Sequence, residues 1–108
     1  MIIVSGHVRF APGEVDRLRP IFEQSIAATR AELGCASFFS AIDVREPSLL
    51  HVSGLWSDEP AIEAHMRSRH MSELLEALGA AKVESIRVDA YEGHYLRTLI
   101  GEPAAAED

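Results

Sequence analysis

At 108 residues, 47% hydrophobic and 25% charged, the chain has the make-up of one ordinary globular domain with a modest core. A net charge of −7 with only ten Lys and Arg residues argues against nucleic acid and against an anionic membrane surface, both of which need a basic patch. Cys35 is the single cysteine, which excludes an internal disulfide and a cysteine-built metal cluster, and it reads as a structural thiol.

The first segment, MIIVSGHVRF, carries no basic leader and is too short to span a bilayer, so a cytoplasmic protein is expected. From Ile2 to Phe10 it alternates. Val4, Gly6, Val8 and Phe10 point one way, and Ser5, His7 and Arg9 the other, which predicts a strand with one apolar face. Pro12 and Gly13 break that strand. The period then lengthens: Val15, Leu18, Phe22, Ile26, Thr29 and Leu33 form one stripe of an amphipathic helix over residues 14–33. Pro20 predicts a kink or a regular start near Arg19, and Gly34 a stop.

CASFFSAIDV, residues 35–44, predicts a second strand, and LLHVSGLW, residues 49–56, a third. The short REPS link makes them a hairpin. Phe38, Val52 and Trp56 fall on one face of this pair, and Phe39, His51 and Leu55 on the other. Ser57 or Asp58 caps a helix entered through Pro60, with Ile62, His65, Met66 and Arg69 on one side. A second apolar set follows at Met71, Leu74, Leu75 and Leu78, with His70 at a break between the helical pieces and Gly79 at the end. KVESIRVDAYEGHYLRTLI, residues 82–100, predicts a long last strand with a bulge or bend at Gly93. Residues 99–108 are small and acidic, a mobile tail on a domain of residues 1–98.

The order βαββαβ predicts an α+β, ferredoxin-like fold: a four-stranded antiparallel sheet with two helices on one face. The uncovered face would carry Phe39, Leu55 and Tyr91 beside His7, His51, Arg87 and Asp89. It is too polar for a dry core and too apolar to stand wet, so a homodimer packed sheet against sheet is expected, with the long last strand reaching onto the partner.

ELGCASFF after the first helix, a strand ending in Trp56, and SDEPAIEAHMRSRHMSELLEAL resemble the antibiotic biosynthesis monooxygenase family of dimeric α+β barrels. The resemblance spans about residues 2–95 and rests on Glu32, Gly34, Cys35, Trp56, His65 and His70. It implies oxidation of an electron-rich aromatic, such as a quinol, an anthrone or a polyketide, by molecular oxygen without flavin, haem or metal. Such chemistry needs a group that deprotonates the substrate and an apolar cavity that keeps water out.

On this reading His65 is the catalytic base, because imidazole titrates near neutral pH. Trp56, His70, Phe38, Val52, Met66, Ile62 and Leu74 bind or orient substrate, and Val4 and Val8 complete the wall. The competing assignment of His65 is a histidine at the core edge bonded to a backbone carbonyl, and that of Trp56 a packing anchor. No metal and no cofactor are expected. No H-x-x-x-H spacing occurs, and His65 and His70, five positions apart, miss the i, i+4 register. His7, His51 and His94 have no assigned role.

Two departures from the family pattern stand out. Ser53 and Gly54 replace a Tyr–Glu pair before the strand-terminal Trp, which removes a carboxylate and opens space in the cavity. Leu75, His65 and Gly6 stand where haem-degrading relatives use His, Trp and Asn, which disfavours haem degradation. A non-oxidative isomerase or lyase, or a binding or stress-response module for a small hydrophobic molecule, are the alternatives on the same barrel.

Overall fold

Alternation on the first strand is matched across the whole sheet. A computed structural model describes residues 1–102, with β1 (Ile2–Phe10), α1 (Glu14–Arg30), β2 (Cys35–Ile42), β3 (Leu49–Trp56), α2 (Glu59–Met66), α3 (Arg69–Ala80) and β4 (Val83–Glu92). The strands form one antiparallel sheet in the order β2-β3-β1-β4. The architecture is the expected ferredoxin-like one, with its second helix in two pieces.

The register puts Ile42, Leu50, Val8 and Ile86 in one cross-strand row, and Phe38, Gly54, Val4 and Ala90 in another. These rows face the helices, and their side chains build two core clusters. Val8, Phe10, Leu50, Val15, Leu18 and Phe22 form the first, and Ile2, Val4, Phe38 and Trp56 the second. The opposite rows, Ala41–His51–His7–Arg87 and Phe39–Ser53–Ser5–Asp89, lie on the face without helices. There Asp43 meets His51 at 2.8 Å and Arg87 meets Asp89 at 2.8 Å.

Four features of three elements refine the expected pattern, two of them in α1. First, α1 stops at Arg30, and Leu33 is fully solvent-exposed instead of closing the apolar stripe. Ala31 caps the helix with its own N–H, and the chain turns through Gly34 at φ 89°. Second, α1 runs through Pro20 from a start at Glu14. Pro20 lies on the exposed side of the helix.

Third, β2 ends at Ile42, and Asp43 turns the chain by accepting from the N–H groups of Arg45 and Glu46. Fourth, β4 ends at Glu92. Glu92 lies opposite Ile2 of β1, and beyond that pair the Gly93 N–H bonds to the carbonyl of Met1. Residues 93–98 are not strand. Of the expected tail, 103–108 lie outside the described residues.

No residue of β4 is buried. Ile86 and Val88 point to the helix side yet remain 53% and 44% exposed. Among the described residues no helix is long and apolar enough to cross a membrane.

Candidate active site

The chain between α1 and β2 delivers a carboxylate to the end of β3. Glu32 closes a turn through its N–H to the Thr29 carbonyl, and the Gly34 carbonyl accepts from the N–H of Ser57, just past Trp56. Only glycine fits at 34. Its φ is left-handed, and a Cβ there would stand 2.7 Å from the Ala61 Cβ. This close seam between the α1–β2 turn and the start of α2 brings Glu32 beside Trp56.

Two histidines approach the same carboxylate from α2 and α3. Asp58 caps α2 by accepting from the Ala61 N–H, and Pro60 occupies the first turn. After Met66 the helix breaks, and Ser68 restarts it by accepting from the Met71 N–H while its hydroxyl donates to the His65 carbonyl. The break removes the helical register between positions 65 and 70. His65 Nδ1 lies 2.7 Å and His70 Nε2 2.6 Å from one oxygen, Glu32 Oε2. Trp56 Nε1 donates to the other oxygen, Oε1, at 3.1 Å.

Burial pushes the Glu32 carboxyl up, but hydrogen bonds from His65, Trp56 and His70 outweigh it and hold the carboxyl below its ordinary range. The carboxylate is therefore ionised and accepts from Nδ1–H of His65. In the neutral ring that leaves Nε2 as the lone-pair nitrogen, a tautomer assigned from the network. His65 is 6% exposed, so the Glu32 contact fixes one end of a buried ring. The Trp56 ring lies 4.9 Å from it and the Phe38 ring 6.3 Å.

His65 opens onto a cavity of about 760 Å³ between the sheet and the helices. Val4, Val8, Phe38, Val52, Trp56, Ile62, Met66 and Leu74 all line it, as alternation and helical spacing placed them. Ile86 and Val88 lie along its open side, with half-exposed Met66 across from them on α2. The volume falls within the usual range for small-molecule sites, and the wall is largely apolar with a few polar groups.

Several expectations need correction. His65 bonds to a carboxylate and not to a backbone carbonyl. His70 is not among the cavity-lining residues; it sits in the first turn of α3 and turns to Glu32. His65 and His70 do not share one helix, and the break at Ser68 brings them to a common point despite their five-residue separation. Arg69, expected to face inward with His65, is exposed and pairs with Glu73.

Gly54 does not open the cavity. The Trp56 ring fills that space, and a Cβ on Gly54 would stand 2.5 Å from Trp56 Cζ3. Glu32 is the residue that pattern reasoning left without a role. Its place in the Glu–x–Gly–Cys corner was the available signal. Cys35 next to it bonds weakly to the Ser37 carbonyl, and burial followed by the Glu32 charge pushes its thiol up, which favours the thiol over the thiolate.

Comparison with known proteins agrees with this architecture. No relative was found among curated proteins. A Deinococcus radiodurans crystal structure, provisionally classed as an antibiotic biosynthesis monooxygenase, superposes with a TM-score of 0.86 at 23% identity over 94% of this chain and 100% of that one. A conserved Methanosarcina mazei protein gives 0.79 at 22% identity over 86% and 92%. Rv0793 of Mycobacterium tuberculosis gives 0.79 at 20% identity over 90% and 98%. Likeness at these identities concerns the fold. The model of the family described as antibiotic biosynthesis monooxygenase matches residues 1–77, well over half of the chain, and the chain therefore belongs to that family.

Proposed function

We propose that the protein is a monooxygenase that oxidises an electron-rich aromatic, of the quinol, anthrone or polyketide kind, with molecular oxygen and no flavin, haem or metal. The observation that carries this reading is the His65–Glu32 pair: a buried imidazole, oriented through Nδ1, at the wall of an apolar cavity.

His65 Nε2 takes the acidic proton of the substrate, and Glu32 stabilises the imidazolium that results. The substrate anion then supplies an electron to oxygen, and the two radicals combine to a carbon-bound peroxide. For an anthrone-type CH₂ the O–O bond breaks, water leaves and a carbonyl remains. Substrate carbon is oxidised and oxygen reduced, with no outside reductant. Trp56, Phe38, Val52, Ile62, Met66 and Leu74 hold the ring system and exclude water. His70 orients the site through Glu32 instead of touching substrate.

In this reading the protein works as a homodimer. Half-exposed Phe39 and Tyr91 on the helix-free face, and exposed Leu96, Leu99 and Ile100 beyond β4, support a second copy as their cover. A single cysteine with no disulfide partner supports a cytoplasmic setting. Sedimentation that finds a monomer at micromolar concentration would remove the dimer.

Oxygen consumption by metal-stripped protein tests the activity, using anthrones, naphthohydroquinones and hydroquinones against autoxidation. Uptake that falls by about 10²–10⁴-fold in His65→Ala is expected, the usual contribution of a positioned base. No uptake from folded protein across the panel would leave the isomerase, lyase or binding alternatives.

A further inference from the structure

The same three side chains that hold the base form a ligand set for a metal ion. We infer that Glu32, His65 and His70 constitute a binding site for a divalent first-row transition metal. Nothing in the proposed reaction calls for such an ion, and the inference stands apart from that reading.

The geometry is already convergent. Glu32 Oε2, His65 Nδ1 and His70 Nε2 lie within 4.8 Å of one another, and the two carboxylate contacts are 2.7 and 2.6 Å. Two imidazole nitrogens and one carboxylate oxygen suit zinc, cobalt, nickel and iron, and disfavour magnesium and calcium, which take oxygen ligands. Metal bonds of about 2.0–2.2 Å put tetrahedral donors a little over 3 Å apart, so Glu32 and the rings need separate by only a fraction of an ångström. In each neutral ring the proton now shared with Oε2 moves to the other ring nitrogen, which frees the nitrogen facing Oε2 for the ion. Three protein donors leave a further position to water.

Surrounding structure pre-orients the donors. Trp56, fully buried, fixes Glu32 through Oε1 and leaves Oε2 for the ion. Ser68 pins the helix break that aims both rings at one point. The only other histidine–carboxylate contact among the described residues, His51 with Asp43, is a solvent-exposed pair with no third donor, so it serves as the internal control.

A metal at this site and base catalysis exclude each other. With Nδ1 on the ion, His65 carries its remaining proton on Nε2 and cannot take one from substrate. The ion therefore acts as an inhibitor of the proposed reaction and not as its cofactor.

Titration of the untagged, metal-stripped protein with Co²⁺ tests the site optically, with no turnover required. A visible d–d band that saturates at one ion per chain and is discharged by Zn²⁺ is expected. His70→Ala should weaken Co²⁺ binding by at least about 10-fold, the scale on which metal-site partners act, and His51→Ala should not change it. Glu32→Gln, which keeps the shape of the side chain, should weaken it likewise. Absence of a band in wild type, equal affinity in His70→Ala, or loss of the band in His51→Ala would each overturn the inference. Because the band is read without substrate, its absence leaves the oxygenase reading untouched, and absent oxygen uptake leaves the metal site untouched.

Discussion

Nδ1 of His65 stands 2.7 Å from Oε2 of Glu32, across 33 positions of the chain. With Nδ1–H donating to a carboxylate the free ring nitrogen is Nε2, and in the proposed reaction that carboxylate stabilises the imidazolium formed there. Removing the charge while keeping the shape isolates that effect. Glu32→Gln can still accept from Nδ1–H but cannot stabilise an imidazolium. Turnover is expected to fall by about 10-fold or more through kcat, with KM little changed, because Glu32 does not line the cavity. Steady-state oxygen uptake at varied substrate checks the split, and an effect confined to KM would assign Glu32 to ground-state binding instead.

Gly54 is the second point where a local pattern misleads. The Trp56 ring lies over it, and Phe38 Cδ1 stands 3.1 Å from where a Cβ would be. Gly54→Ala must push an indole that is fully buried and bonded to Glu32. A loss of about 1–3 kcal/mol is expected from overpacking. Denaturant melts measure it, and an unchanged midpoint would mean that the indole can shift freely.

Thr29 is fully buried in α1, and its hydroxyl has no hydrogen-bond partner. An unsatisfied buried hydroxyl costs free energy that an isosteric methyl does not. Thr29→Val should gain about 1 kcal/mol and raise the melting temperature by about 4–8 °C. Calorimetry would decide it; a lower melting temperature would mean that the hydroxyl is satisfied in solution.

Glu14 clamps the start of α1 to the α3–β4 link. It accepts from the Arg17 guanidinium at 2.8 and 2.9 Å and from the Lys82 N–H at 2.9 Å. The Arg17 contact first, then Lys82, hold its carboxyl at about 2 against an ordinary 4.5. A carboxyl depressed by folding contributes stability that is complete above its unfolded value and is lost as pH falls through its folded value. The loss therefore runs from about pH 4.5 down to about pH 2. Glu14→Gln should flatten acid unfolding across that window, and added salt should do the same in part, since the Arg17 side of the pair is exposed to solvent. Identical acid titrations of the two proteins would remove Glu14 from the acid response.

Alternation along β1, β2 and β3 was enough to say which side chains share a face. Val4, Phe38, Val52 and Trp56 therefore reached the cavity, and His7 and His51 the far side, as spacing dictated. A two-residue period is a property of the extended backbone itself, independent of what packs on it. Helix spacing likewise placed Ile62, Met66 and Leu74. What tertiary structure decided was everything carried by ends, breaks and long-range contacts. β4 stops at Glu92, opposite Ile2 of β1, a pairing limit that no pattern within 82–100 records. Glu32 has no period, and its role exists only because the Gly34 turn docks against Ser57 and Ala61. His65 and His70 meet because Ser68 interrupts a helix that would otherwise have turned them apart. Periodicity reports a residue's own backbone, whereas a site joining three separate segments is set by how those segments pack.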